Sequence, residues 1–291
     1  MVDEVSFLFS AKTHDGIYFF TDKGKLYKAN VYEIPVANRQ SKGQAMVNLI
    51  QIGQDEKVTA VLTLDKKQEN ADGYFVMGTT DGTVKKTEIK AYNNVRKNGI
   101  IAINLAAGNR LGWVKASSGK DNVLMLSAKA QAILFKEEDV RPTGRSAAGV
   151  RGMKLRPDDY VVAVDVLTDE ELQIDQIAVV FENGFGKRTP LKHFDTQGRG
   201  GMGIKAADVT ARVGAVVFAA VTSKEDAELL LISNKGTILK IPLDQVKSLG
   251  RVTQGVTLMR LDKSEKVASA ALLGKAEEGE ELSGQPVSTE E

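Results

Sequence analysis

Lysines and arginines return at matched places along this 291-residue chain, and their spacing is the first pointer to chemistry. One set follows a tight turn: Lys28, Lys85 and Lys86, Lys136, Lys187 and Arg188, and Lys240. A second set lies in short glycine-closed boxes. These carry Arg39 and Lys42 in NRQSKG, Arg96 and Lys97 in VRKNG, Arg145 in GRSAAG, Arg199 in GRGGMG and Arg251 in GRVTQG, with Arg151 just beyond the third. Lys and Arg donate to phosphate oxygens, and glycine lets one main chain approach another backbone closely. Bases repeated in register therefore suit a curved track for the backbone of double-stranded DNA. No recognition helix or zinc set is visible to read base edges, so contact is expected to be sequence-neutral and biased by how easily the DNA bends.

Other chemistries fit poorly. The chain has no cysteine, which excludes disulfides, thiolate metal sites and a thiol nucleophile, and its only histidines are His14 and His193. Gly198-Arg199-Gly200-Gly201-Met202-Gly203 has the spacing of a dinucleotide fingerprint. That fingerprint has meaning only between a strand and a helix, and here it aligns with four boxes that do not match it. Asp158 and Asp159 precede a strand where another repeat has Asp55 and Glu56, so they read as turn residues. Trp113 reads as a core or inter-repeat residue. No catalytic set stands out, and neither a metal nor a cofactor is expected in this chain.

The elements that must position the bases are repeats of about fifty residues. Five segments share an apolar run, a turn and a short strand ending in a base: GIYFFTDKGKLYK, GYFVMGTTDGTVKK, NVLMLSAKAQAILFK, QIAVVFENGFGKR and ELLLISNKGTILK. Their turn residues are Gly24, Gly82, Ala130, Gly184 and Gly236. The boxes close on Gly43, Gly99, Gly149, Gly203 and Gly255, offset by 19, 17, 19, 19 and 19 residues. Two landmarks keeping one spacing through five copies mark an internal repeat. Val, Ile, Thr and Phe dominate, residues alternate, and Gly, Asp and Asn punctuate, which gives about four strands per repeat. One such blade cannot bury both of its faces, so the blades must pack side by side as a toroid. The expected repeats are 5–52, 58–105, 111–155, 160–208 and 214–261, with a closing strand at 267–273 sealing the ring against the N-terminal segment. A helical turn is allowed between each hairpin and its box.

Bulk properties agree with a globular chain: 42% hydrophobic and 26% charged residues. The net charge of +1 hides an asymmetry. From Lys275 to Glu291 there are six acids and one base, or −5, which leaves +6 on residues 1–274. The 275–291 tail reads as an acidic disordered end. The sequence shows no apolar run long enough for a spanning helix and no signal peptide, so a cytoplasmic location away from membranes is expected.

Five stretches carry a family resemblance: KLYKANVYEIPVANRQSKGQAMVNLIQIGQDEKVTAVL, GTTDGTVKKTEI, GVRGMKL, NGFGKRTPL and GRVTQGVTLMRL. Over residues 5–274 the chain resembles the C-terminal domain of bacterial DNA gyrase A and, more distantly, that of topoisomerase IV. The resemblance implies an all-β β-pinwheel of five to six four-stranded blades that exchange strands. Its basic perimeter would wrap DNA in support of ATP-dependent negative supercoiling. It also implies that this chain alone is non-catalytic and monomeric, that ATP and Mg belong to other parts of the holoenzyme, and that its partners are DNA, the rest of gyrase A and gyrase B, in a nucleoid-associated setting. The family's Gln-Arg-Arg-Gly-Gly-Lys-Gly box belongs to a first blade expected to precede residue 1. Residues 197–203 differ from it at Gly198 and Met202 and read as a degenerate copy. The family's acidic terminus is thought to compete with DNA, as the tail here would. Three alternatives remain: a topoisomerase IV domain that selects DNA geometry without strong wrapping, a propeller scaffold that binds protein, and an enzymatic propeller lacking a convincing acid–base set.

Overall fold

The structure is a computed structural model that describes residues 11–36, 43–95, 98–222 and 226–274. It is all-β. The strands are β1 (Gly16–Thr21), β2 (Lys25–Asn30), β3 (Val58–Leu64), β4 (Tyr74–Thr79), β5 (Thr83–Glu88), β6 (Ile100–Ile101), β7 (Leu111–Ser117), β8 (Asn122–Ser127), β9 (Gln131–Lys136) and β10 (Val150–Arg151). They continue with β11 (Val161–Leu167), β12 (Gln176–Phe181), β13 (Phe185–Pro190), β14 (Ile204–Lys205), β15 (Val216–Thr222), β16 (Asp226–Ser233), β17 (Ile238–Pro242), β18 (Val256–Thr257) and β19 (Val267–Gly274).

Each blade is built on an antiparallel hairpin whose turn is the repeated glycine. Gly24, Gly82, Gly184 and Gly236 all have positive φ, and Ala130 takes the same conformation at φ 54° in the third blade. The first hairpin strand is buried on both faces, as in β1 and β8: neighbouring blades cover both faces of β8, while the second blade covers one face of β1 and Leu49, Ile50 and Ile52 of its own repeat cover the other. That explains its nearly continuous apolar run. An inner strand pairs with the first hairpin strand on the side away from the hairpin partner, giving the orders β3-β1-β2-β6, β10-β5-β4-β7, β11-β8-β9-β14 and β15-β12-β13-β18. Every inner-strand pairing carries a register shift, at Phe20/Thr21, Gly78/Thr79, Val161/Ala163, Val180/Phe181 and, among others, Ile232/Ser233. Inner strands pack in succession, β3 on β7, β7 on β11, β11 on β15 and β15 on β19. Apolar clusters fill the seams, and Trp113 packs partly buried against one of them.

The two-residue strand at the other edge of each blade comes from the next repeat: β6 joins β2, β10 joins β5, β14 joins β9 and β18 joins β13. This is strand exchange, and the closing glycines make it possible. A Cβ at Gly149 would lie 2.7 Å from the Val84 carbonyl, at Gly203 2.2 Å from that of Ala132, and at Gly255 2.5 Å from that of Gly186. The turn residue then receives the donated chain. The Gly82 carbonyl accepts from Gly152 and Met153 N–H, and the Gly184 carbonyl from Leu258 and Met259 N–H.

The fifth blade departs from expectation. Its order is β17-β16-β19, three strands, with no donated strand among the described residues. Accordingly a Cβ at Gly236 would meet nothing within 4 Å. β19, expected to seal the ring, is instead the inner strand of this blade, paired with β16 and packed on β15. No strand pairing joins it to the first blade among the described residues.

Candidate nucleic-acid interface

The boxes lie where the fold exchanges strands. A 3-10 turn follows each second hairpin strand, at Val31–Glu33, Ile89–Tyr92, Glu137–Asp139, Leu191–His193 and Leu243–Gln245. The chain then runs parallel to the preceding blade for one bridge, Lys86 with Pro142, Leu134 with Thr196 and Arg188 with Ser248. It loops out as the box and returns antiparallel as the donated strand. Each of these boxes is therefore a loop pinned at both ends on the outer edge of the blade before it.

Counting from the turn residue sorts the post-turn bases into positions that face differently. Lys85 and Lys187 stand third after the turn and are 1% and 0% exposed. Lys85 Nζ donates to the carbonyls of Ala102 and Arg145, each at 2.6 Å. Lys187 Nζ donates to the carbonyls of Gly250 (2.8 Å) and Arg251 (2.6 Å) and to Thr253 Oγ1 (3.1 Å). Burial lowers both ammonium groups to about 8, and at Lys187 the nearby Arg251 adds to the effect. The expectation that these two lysines line the outer track is thus corrected. They lie beneath the boxes and hold them by the main chain.

Lys28, Lys86, Arg188 and Lys240 stand fourth after the turn, and each already has partners. Lys28 pairs with Glu69 at 2.7 Å and lies 4.9 Å from the Tyr18 ring centroid. Lys86 is buried, with Glu137 Oε1 at 3.5 Å and the Tyr74 ring beneath it. Glu137, itself 0% exposed, also accepts from Ser117 Oγ and the N–H groups of Gly119 and Asp121. Lys86 is therefore corrected as well: it closes a buried network. Arg188 Nε donates to the Val246 carbonyl at 2.8 Å, and burial lowers its guanidinium. Lys240 pairs with Glu228 at 2.6 Å, and Lys136, two positions further along its strand, with Asp169 at 2.7 Å; both lysines are exposed or partly so.

Further cations stand in the boxes and donated strands: Arg145, Arg151, Arg199, Arg251 and Lys205, the last 3.8 Å from Asp208. Arg145 and Arg151 are exposed, and their guanidinium groups make no hydrogen bond or ion pair among the described residues. Arg199 and Arg251 bridge to the neighbouring donated strand. Arg199 donates to the carbonyls of Arg151 and Asp139, and Arg251 Nη1 to the Lys205 carbonyl at 3.0 Å. Successive boxes are thereby linked along one edge. Lys205, at the second residue of a donated strand, occupies the place of Arg151 and was not among the expected residues. The signal for it was its place as the second residue after a closing glycine. Arg39, Lys42, Arg96 and Lys97 lie outside the described residues.

The remaining candidates resolve structurally. No helix follows Gly203, and the chain passes directly into the two-residue β14, so the fingerprint spacing has no dinucleotide context. Asp158 takes positive φ at 57°, and Asp159 accepts from Ser127 Oγ and Lys129 N–H, which makes the pair a turn that caps a hairpin. His14 lies edge-on to Tyr32, and His193 ends a 3-10 turn and is exposed. Among the described residues no cluster of His, Asp or Glu could hold a metal ion, and no helix is long and apolar enough to cross a membrane.

Residues 17–65, 73–112, 121–168, 182–223 and 227–273 match the family described as DNA gyrase C-terminal domain, beta-propeller, one segment for each blade. The chain belongs to the DNA gyrase C-terminal domain family. It is 39% identical over 277 residues to the DNA gyrase A protein of Staphylococcus epidermidis and 38% over 279 residues to that of Staphylococcus aureus. Those matches cover 95% and 96% of this chain but 30% and 31% of the relatives, so the chain spans about a third of their length. Among solved structures it is similar to the C-terminal domain of DNA topoisomerase IV (TM-score 0.82, 26% identity, 90% of this chain and 80% of that one). It is also similar to the DNA gyrase A C-terminal domain (TM-score 0.72, 29% identity, 90% and 83%). The chain is thus a β-pinwheel with the fold of the C-terminal domains of gyrase A and topoisomerase IV.

Proposed function

We propose that this chain binds duplex DNA without regard to sequence and bends or wraps it around the outer edge of the blades. In this reading it is the C-terminal module of gyrase A and supports negative supercoiling driven by ATP. The ATP and Mg sites then belong to the remainder of gyrase A and to gyrase B, and the setting is the bacterial cytoplasm and nucleoid. The observation that carries the reading is the linked edge of boxes and donated strands, bearing Arg145, Arg151, Arg199, Lys205 and Arg251 in equivalent places on consecutive blades. If these five cations each neutralise one phosphate, log K falls with log salt at a slope of roughly −4.5.

The test is ligation of nicked circular DNA with rising amounts of protein at two salt concentrations, with linking number read on a gel. A salt-sensitive positive shift supports wrapping with gyrase-like handedness. Binding without a shift supports the second reading, a topoisomerase IV-type domain that docks DNA without strong wrapping. That reading is favoured by the higher TM-score to the topoisomerase IV domain and by the departures at Gly198 and Met202. No binding at low salt overturns both and promotes a protein-binding scaffold.

A further inference from the structure

Two of the boxes differ from the rest in what lies beneath them. Under GRSAAG and GRVTQG the third residue after the turn of the blade beneath, Gly82 or Gly184, is a buried lysine, whereas the corresponding residues of the first, third and fifth blades are Tyr27, Ile133 and Leu239. Both lysines donate to box carbonyls, Arg145 in one case and Gly250 and Arg251 in the other, with the Ala102 carbonyl and Thr253 Oγ1 as their further acceptors. Among the described residues no peptide bond is cis. In a trans peptide the C=O and the following N–H point in opposite directions. A carbonyl drawn down onto Nζ therefore turns the next N–H up and outward. The N–H groups so turned are those of Ser146, Arg251 and Val252, and none has a hydrogen-bond acceptor among the described residues. Ser146 is exposed and Val252 is 61% exposed. Box GRGGMG, over Ile133, is built otherwise: its Gly200 N–H is consumed by the Gly152 carbonyl at 2.7 Å.

We propose that residues 144–146 and 250–252 are two preformed phosphate seats on the DNA track. The outward main-chain N–H of Ser146 in one, or those of Arg251 and Val252 in the other, and the box arginine hold one phosphodiester, and the buried lysine positions the loop from below. The seats rest on the DNA-binding reading and add to it which phosphates are held by main chain, and why. Lys85 and Lys187 act as positioning residues: neither touches DNA, and each fixes peptide planes that do. At 250–252 successive N–H donors beside a cation form an anion-binding concavity of the kind that phosphate groups occupy, and at 144–146 a single N–H stands beside Arg145. The glycines at 144 and 250 leave it open, because a Cβ at either would meet nothing within 4 Å.

The experiment is an amide NMR titration of the whole chain with a short duplex, run alongside inorganic phosphate at matched phosphate concentration. The expected result is that the Ser146, Arg251 and Val252 amides shift with duplex and stay still with inorganic phosphate. In Lys187→Met the responses of Arg251 and Val252 are lost while that of Ser146 persists, and duplex affinity falls by about tenfold. The wild-type titration decides the matter even if the variant folds poorly. If duplex binds while those three amides remain unmoved, the seats are refuted and the DNA-binding reading survives. Equal shifts with inorganic phosphate refute the assignment to DNA and leave a simple anion site. An unchanged 251–252 response in a folded Lys187→Met refutes the positioning role. Absence of duplex binding at low salt refutes the DNA reading itself.

Discussion

Replacing Lys187 by Met should change how stability depends on pH, by an amount the structure sets. In the native state the ammonium sits at about 8, while in the unfolded chain it returns to its ordinary 10.5. Between these values the unfolded chain holds a proton that the native chain has lost, so stability rises with pH. That stability is fully present above the unfolded value and is lost as pH falls through about 8. Integrated from about pH 7.5 to 9.5, one such lysine contributes about 2 kcal/mol. Burial alone lowers Lys85 to the same value, so it contributes a similar amount and the wild type should gain about 4 kcal/mol across this window. Tyr18, Tyr27 and Tyr92, all raised by burial, stay protonated throughout. Urea melts at half-unit intervals would measure the rise, and Lys187→Met should halve it. A variant whose curve runs parallel to the wild type would mean that Lys187 is not titrating inside the protein, and the argument from its burial would fail.

Gly203→Ala should cost about 3 kcal/mol, because its Cβ would lie 2.2 Å from the Ala132 carbonyl at φ +72°. Gly198→Ala in the same box meets nothing within 4 Å and should change stability by less than about 0.5 kcal/mol, both read from thermal melts. Glu137→Ala leaves Lys86 buried without its carboxylate and strands the donors of Ser117, Gly119 and Asp121; a loss of about 3–5 kcal/mol is expected in denaturant titrations. The double reversal Arg145→Glu and Arg151→Glu should weaken binding of unrelated duplexes alike and reduce the salt slope by about 2, with the melting temperature unchanged. A preference for one sequence in that assay would argue against backbone contact.

Much of this protein is legible from one line of letters. Turn glycines, closing glycines and alternating apolar runs recur at one spacing, and each has a local cause: positive φ at a hairpin, or a strand covered on both faces. Repetition multiplied those local signals, so the blades, the five-fold pattern and the basic boxes could be found in the letters alone. Lys205 was overlooked although its position after a closing glycine matched that of Arg151.

What the letters did not determine is where each cation points. Lys85 and Lys86 are adjacent, yet successive strand residues face opposite sides, so one holds a box from below and the other closes a carboxylate network. Burial depends on which strand lies alongside, and here that strand arrives from the next repeat. Pairing between distant segments likewise decided that β19 completes the fifth blade and that β17 has no donated neighbour among the described residues. Local spacing specifies strands and turns; only the packing of one repeat on another decides which charges remain at the surface.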